Sequence, residues 1–324
     1  SYEIFYHKRS DFSMSVNQEF RFPSADGTTT LYGRTWAPEH GAPKAVLQLV
    51  HGIAEHIGRY DRFARFMSDH GYLVCAEDHL GHGNTPENAE DLGYTADKDG
   101  WVKMTDNVRA LHERIAPQYP GIPYFILGHS MGSFLTRSYL IRYPGTVDAC
   151  ALLGTGQQPE SVLKAGLAAC RLEQIRLGKR GRSKLLQSLC FGAYNSQFKP
   201  NRTESDWVCS VDEVVDAYIA DPFCQVMPTV TLMRDMLTGI RFNQQAEHLA
   251  KMDKTTPVFF LSGDQDPVGS NGKGVRAAYQ SFLDAGCSHV RLKLYPGGRH
   301  EMLNEHNWQD VYDELLSWFD QQIK

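Results

Sequence analysis

The pentapeptide Gly128-His129-Ser130-Met131-Gly132 carries the sharpest chemical signal in the chain. It fits G-x-S-x-G, follows the apolar run at 124–127 and precedes a helix-compatible stretch at 133–142. A serine on so tight a strand-to-helix turn has a strained backbone, and neighbouring chain passes close beside it. The positions two before and two after must therefore lack bulk, and Gly128 and Gly132 meet that need. The pattern predicts Ser130 as a nucleophile held above the end of a strand.

A serine alcohol is a poor nucleophile at neutral pH. It needs a histidine base, and the histidine needs an acid that fixes its tautomer and stabilises its charge. Taken in the chain order Ser, Asp, His, the strand-like run at 257–261 leads into Ser262-Gly263-Asp264-Gln265-Asp266-Pro267-Val268, which offers two acids, Asp264 and Asp266. The run at 290–295 leads into Pro296-Gly297-Gly298-Arg299-His300-Glu301. Its glycines give His300 the freedom a base needs to serve two substrate oxygens in turn. His289 precedes that run and His306 falls on the following helix, so both read as surface or capping residues.

Acyl transfer also needs N–H donors aimed at the oxyanion that develops on the substrate. The N–H after the nucleophile, that of Met131, is one. The second is expected after the early run at 45–50, in His51-Gly52-Ile53-Ala54-Glu55-His56. There Gly52 permits close approach and the Ile53 N–H is the donor. Glu55 and Arg59, four apart, pair to brace that loop. The histidines His51, His56, His79, His82 and His129 gather on the same face, but they belong to loop motifs, and no metal or cofactor is expected.

These residues need a scaffold. Short apolar runs of the buried-strand type recur at 45–50, 72–76, 124–127, 149–153, 257–261 and 290–295, most of them separated by helical patterns. That alternation builds a mostly parallel sheet flanked by helices. Two extended runs, 19–22 and 31–36, flank Ser24-Ala25-Asp26-Gly27 as an opening hairpin and bring the sheet to eight strands. Tyr60, Phe63, Ala64, Met67 and Trp101, Met104, Val108, Leu111, Ile115 each form one apolar helical stripe, with Gly71 and Pro120 placed as stops. Between 155 and 254 the strand pattern lapses into helical patterns such as 211–220 and 230–237, interrupted by prolines. The reading is a core at 1–154 and 255–324 with a helical cap, 155–254, inserted after the sixth strand. The cap's Leu167, Leu185, Leu186, Phe223, Met227, Leu232, Met233, Met236 and Leu237 offer apolar surface either for an acyl channel or for plain helix packing. Its basic run, Arg176 to Lys184, is either a solvated surface or a transient contact with lipid headgroups.

Composition excludes several alternatives. With 42 % hydrophobic and 22 % charged residues, the 324-residue chain is neither disordered nor low-complexity. Lys and Arg number 33 against 38 Asp and Glu, a net charge of −5, which gives a phosphate backbone no surface to follow. The seven cysteines are odd in number and show no C-x-x-C spacing, so they read as reduced core residues. Residues 1–15 carry no apolar leader and no run reaches the ~18 apolar residues of a membrane span, so a cytoplasmic protein, monomeric or homodimeric, is expected.

Three segments together resemble a known family: His51-Gly52-x-x-Glu55-His56-x-x-Arg59-Tyr60, Asp78-His79-x-Gly81-His82-Gly83 and Gly128-His129-Ser130-Met131-Gly132. They are similar to the monoacylglycerol lipase and lysophospholipase branch of the α/β-hydrolase fold, grouped with the serine aminopeptidase S33 family. The resemblance covers about residues 20–154 and 255–320. It implies Ser130 as nucleophile, Asp266 as the acid, His300 as base, and Ile53 and Met131 as oxyanion donors. It further implies a serine hydrolase for carboxylic esters of single-chain lipids. A short-chain carboxylesterase is the first alternative. Less favoured are an S33-type aminopeptidase, whose usual Gly-Gly-Ser-Trp-Gly elbow is not matched here, and a non-enzymatic receptor. Ser133 and Gly154-Thr155-Gly156 depart from the common family pattern, and the cap matches none of it.

Overall fold

The computed structural model describes residues 17–324; the stretch at 1–15 read above as lacking a leader lies outside them. Strands β1 (Asn17–Pro23), β2 (Thr30–Trp36), β3 (Ala45–Val50), β4 (Tyr72–Glu77), β5 (Tyr124–His129), β6 (Ala149–Leu153), β7 (Val258–Gly263) and β8 (Val290–Tyr295) form one sheet. Its spatial order is β1-β2-β4-β3-β5-β6-β7-β8. The opening hairpin pairs Asn17 with Trp36 through to Pro23 with Thr30. Asp26 closes its turn by accepting from the N–H groups of Thr28 and Thr29 at 2.8 and 2.7 Å. β2 lies antiparallel to β4, and every pair from β4 to β8 is parallel.

The central strands β3 to β7 are buried at every position, which is why they read as unbroken apolar runs. The helices are α1 (Asp61–Asp69), α2 (Gly100–Ile115), α3 (Met131–Arg142), α4 (Glu160–Leu177), α5 (Lys184–Phe191), α6 (Asp212–Ala220), α7 (Val230–Asn243), α8 (Ala246–Leu249), α9 (Lys273–Asp284) and α10 (Trp308–Asp320). Successive strand residues point to opposite faces. Val46, Ile126, Leu152 and Phe260 therefore pack with α2, α3 and α9, while Leu47, Phe125, Leu153 and Phe259 pack with α1 and α10. Both stripes read from the sequence, on α1 and α2, face this core.

From β3 the chain steps outward to β4 and then back across to β5, so the strand order reverses between β3 and β5. Loops diverge at such a reversal and leave a crevice outside the carboxyl ends of the strands. The loops after β3 and β5 are those that carry Ile53 and Ser130.

Between β6 and β7 the chain is helical, α4 to α8. The two patterns read there appear as α6 and α7, with α7 continuing to Asn243. α4 and α5 show no apolar stripe by which to read them, because neither keeps its apolar residues on one buried face. On α4, Leu163 and Cys170 are buried while Val162, Leu172 and Ile175 face solvent. α7 packs on the core: Leu232, Met236 and Ile240 join the α2/α3 side, and Asn243 bonds Ser138 Oγ and the Phe134 carbonyl at 2.6 and 2.9 Å. Among the described residues no helix is long and apolar enough to cross a membrane.

Candidate active site

Ser130 joins β5 to α3 with φ 55° and ψ −125°, a conformation that costs a non-glycine residue of order 1–3 kcal/mol. Its N–H donates to the Leu153 carbonyl at 3.0 Å, fastening the turn to β6. A Cβ on Gly132 would overlap the carbonyl oxygens of Val50 and His51. The glycine is thus needed for the loop after β3 to lie against the turn. Met131 opens α3, and the Ile53 loop comes so near that a Cβ on Gly52 would stand 3.0 Å from Ser130 Cβ.

His300 Nδ1 lies 2.9 Å from Asp266 Oδ2, and both side chains are buried. The other Asp266 oxygen accepts from the Val268 N–H at 2.9 Å. A carboxylate at Nδ1 places the ring proton there and leaves Nε2 as the free lone pair. Asp264 points elsewhere: its Oδ1 accepts from the Gly297 N–H at 2.8 Å and pins the turn after β8. The two acids that the sequence left side by side are thereby separated in task. His289 and His306 are exposed.

Glu55 braces the loop after β3, as its spacing with Arg59 suggested, and does more. One oxygen accepts from the Gly52 N–H at 2.7 Å and the Tyr60 hydroxyl at 2.8 Å, and lies 3.3 Å from His129 Nδ1. The other meets Arg59 at 3.1 Å, and Arg59 also grips both oxygens of Glu301. His129 Nε2 in turn faces the His300 carbonyl at 3.2 Å. Three loops, after β3, β5 and β8, are joined through one buried network. Burial alone would raise the Glu55 carboxyl, yet the His129 hydrogen bond and the Arg59 charge hold it well below the usual range. Burial would lower His129, but Glu55 more than offsets it and raises the imidazole. The sequence placed His129 only among the clustered histidines, Tyr60 only in a helical stripe and a loop motif, and Glu301 only beside His300; nothing local marked them as partners of Glu55 and Arg59.

The clustered histidines are bound into the backbone. His79 Nε2 faces the His51 carbonyl at 2.9 Å, and His82 Nδ1 faces that of Leu80 at 2.9 Å. Burial holds His51 well below its usual range and His82 down to about 4. A different trio, His56, Asp221 and Cys224, brings its donor atoms within 4.8 Å of one another. There the Gly58 N–H donates to His56 Nδ1 at 3.2 Å, which leaves the ring proton on Nε2, 2.7 Å from Asp221 Oδ2. A metal ligand needs the opposite arrangement, with the lone pair outward and the other nitrogen donating. The trio is a tie between the β3 loop and the inserted helices.

Those helices are tied down elsewhere too. Glu301 N–H donates to the Val208 carbonyl at 2.8 Å, Gln197 donates to the Gln265 carbonyl at 2.7 Å, and the Trp207 ring lies 5.2 Å from that of His300. The segment 194–210 therefore sits against the loops of Asp266 and His300. The basic run is engaged with protein: Lys179 pairs with Asp97 at 3.1 Å, Arg180 with Asp91 at 2.6 Å, and Arg182 donates to the Leu92 carbonyl at 2.6 Å. Of the apolar residues offered for a channel, Leu186, Leu232, Met233 and Met236 are buried in helix packing. Leu185, also offered for a channel, is exposed on α5 beside Leu189, as are Val162, Leu172 and Ile175 on α4 and Ile219 on α6.

The sheet order, the strained serine after β5 and the Asp266–His300 pair on the loops after β7 and β8 define an α/β hydrolase. The chain belongs to the family described as serine aminopeptidase, S33, whose model matches residues 41–307. It is 30 % identical over 310 residues to a monoacylglycerol lipase of Mycolicibacterium smegmatis, an alignment spanning 94 % of this chain and 97 % of that one. It is 29 % identical to the human monoglyceride lipase over 304 residues, 92 % of this chain and 89 % of the relative. Among solved structures, a thermostable carboxyl esterase from Bacillus coagulans in complex with glycerol superposes with a TM-score of 0.88 at 28 % identity, covering 96 % of this chain and all (100 %) of that one.

Proposed function

We propose that the protein hydrolyses carboxylic esters of single-chain lipids, of the monoacylglycerol or lysophospholipid kind, through an acyl-enzyme on Ser130. The Asp266–His300 hydrogen bond of 2.9 Å, on loops flanking the strained Ser130 turn, carries this reading. His300 Nε2 takes the Ser130 proton as Oγ attacks the ester carbonyl, and the oxyanion is held by the N–H groups of Ile53 and Met131. Collapse expels the alcohol, which receives its proton from His300. Water then attacks the acyl-enzyme by the same route in reverse, releasing the fatty acid and Ser130. Asp266 holds the productive tautomer and stabilises the imidazolium. No metal or cofactor enters this cycle.

The relatives named as monoacylglycerol and monoglyceride lipases support the lipid reading over a short-chain esterase. The segment 155–254 acts as a cap, and the displayed leucines and isoleucine of α4 and α5 give it a surface for transient contact with lipid aggregates. The tied-down basic run argues for apolar rather than headgroup contact. Seven free thiols, six of them buried, support a reducing compartment such as the cytoplasm.

The deciding experiment is kcat/KM for p-nitrophenyl esters from C2 to C16, with Ser130→Ala as blank. Each methylene buried contributes ~0.8 kcal/mol, so a C12 ester gains up to ~6 kcal/mol over C4 if its chain is sheltered. A steep rise with length supports the lipid reading. A maximum at C2 to C4 replaces it with the short-chain esterase.

A further inference from the structure

Glu77, the last residue of β4, is fully buried, and neither of its carboxylate oxygens meets a hydrogen-bond donor. The Nδ1 of His79 is likewise buried without a partner, 3.4 Å from Glu77 Oε1. Two lone-pair atoms that face each other away from water repel unless a proton lies between them, and an isolated carboxylate there would carry a heavy desolvation cost. A proton carried by either atom would join the two, and their 3.4 Å approach makes each the neighbour that such a proton would meet.

From His79 the contacts run toward the site. Its Nε2 faces the His51 carbonyl at 2.9 Å, and its backbone N–H donates to His51 Nε2 at 3.0 Å. Burial keeps the His51 ring neutral by holding it well below its usual range. A neutral ring that accepts at Nε2 carries its proton on Nδ1, and Nδ1 lies 2.7 Å from the Gly52 carbonyl. That carbonyl and the Ile53 N–H belong to one planar trans peptide, so fixing the direction of one fixes the other.

We infer that Glu77, His79 and His51 form a positioning relay that aims the Ile53 N–H at the oxyanion, with Glu77 as its remote end. The inference rests on the proposed ester hydrolysis and on Ile53 as oxyanion donor. Glu77 touches no substrate and lies outside every motif singled out in the sequence; its tie to the site is visible only once β4 is laid beside β3.

The test compares Glu77→Met, which removes the partner of His79, with Glu77→Gln, whose amide N–H can donate to Nδ1. Turnover is normalised to burst-titrated active sites. Loss of a whole oxyanion donor costs roughly 100- to 1,000-fold, so a misaimed one is expected to lower kcat by about 10- to 100-fold in Glu77→Met. KM should hold, and binding of a trifluoromethyl ketone analogue should weaken by the same factor. Glu77→Gln should recover kcat to within about 3-fold. Wild-type kcat per titrated site in Glu77→Met, or a Gln variant as poor as Met, overturns the relay. Should Glu77→Met fail to fold, ¹⁵N-histidine NMR of the wild-type enzyme decides: His51 must carry its proton on Nδ1, and a proton on Nε2 overturns the inference. If wild-type activity does not exceed that of Ser130→Ala, the ester-hydrolase reading itself has failed, whatever Glu77 does.

Discussion

Arg59 and Glu301 form a two-pronged ion pair, Nη1 to Oε1 at 2.5 Å and Nη2 to Oε2 at 2.8 Å, between residues 242 apart in sequence. One belongs to the loop that presents Ile53, the other follows His300. The pair holds the proposed base and oxyanion donor in one frame. It is also wedged under the inserted helices, since the Glu301 N–H bonds the Val208 carbonyl and the Arg59 guanidinium lies 4.9 Å from the Tyr218 ring centre.

Glu301→Gln leaves Arg59 with a weaker partner in a site where both side chains are largely buried. Breaking a buried pair from one side costs about 3–5 kcal/mol. Glu55 still faces Arg59, so the lower end, about 3 kcal/mol, is expected in a urea titration. Turnover should fall as well, because the His300 loop loses its anchor. An unchanged unfolding midpoint would show that Glu55 alone suffices.

Asp266→Asn should lower kcat by about 10⁴-fold with the fold intact, because an amide in the carboxylate's place favours the wrong tautomer of His300. Asp264→Asn disturbs one hydrogen bond to the Gly297 N–H and should cost about 1 kcal/mol of stability, with turnover within a few-fold of wild type. Equal losses in the two variants would remove Asp266 from its assigned role.

Stability should depend on pH through His129 and Glu55, with opposite signs. His129 is raised in the folded protein, so its contribution is complete below about pH 6.5, its unfolded value, and is lost as pH climbs through the raised one. Glu55 is depressed, so its contribution is present above about pH 4.3 and is lost as pH falls through the folded value. Thermal melts should therefore show the pair's full effect between those two values. In His129→Asn the alkaline decline should flatten; melts that superpose on wild type would show that the pair does not govern it.

Ile175→Ser combined with Leu189→Ser removes two exposed apolar side chains from α4 and α5. Vesicle sedimentation should show binding to neutral lipid weakened by about 10-fold or more, since each side chain buried in lipid contributes about 1.5–3 kcal/mol. Hydrolysis of a dissolved C4 ester should be unaffected. Arg180→Ala, which unfastens the insertion from Asp91, should leave vesicle binding unchanged. A reversed pattern would return the lipid contact to the basic run.

The core was legible from the sequence for a simple reason. Strands buried on both faces must be apolar at every position, and a serine on a strained turn must have glycine on either side; neither requirement depends on distant residues. The parallel runs and the strained turn at Ser130 follow from such local constraints. Asp266 did not separate itself from Asp264 by local pattern, because the two differ only in what lies opposite, His300 Nδ1 or the Gly297 N–H. Tertiary structure alone sets Asp266, and not Asp264, against His300.

The same holds for the inserted helices and for the polar groups behind the site. α4 and α5 leave apolar side chains in water, which breaks the periodicity by which a helix is read. The basic run looked solvated or lipid-facing until Asp91 and Asp97 were brought under it from a loop far back in the chain. His129, Glu301 and Glu77 are single letters whose meaning lies in contacts made across the sheet. Backbone strain and strand burial are written into neighbouring residues; which carboxylate meets which imidazole is decided only when the fold brings distant loops into hydrogen-bonding range.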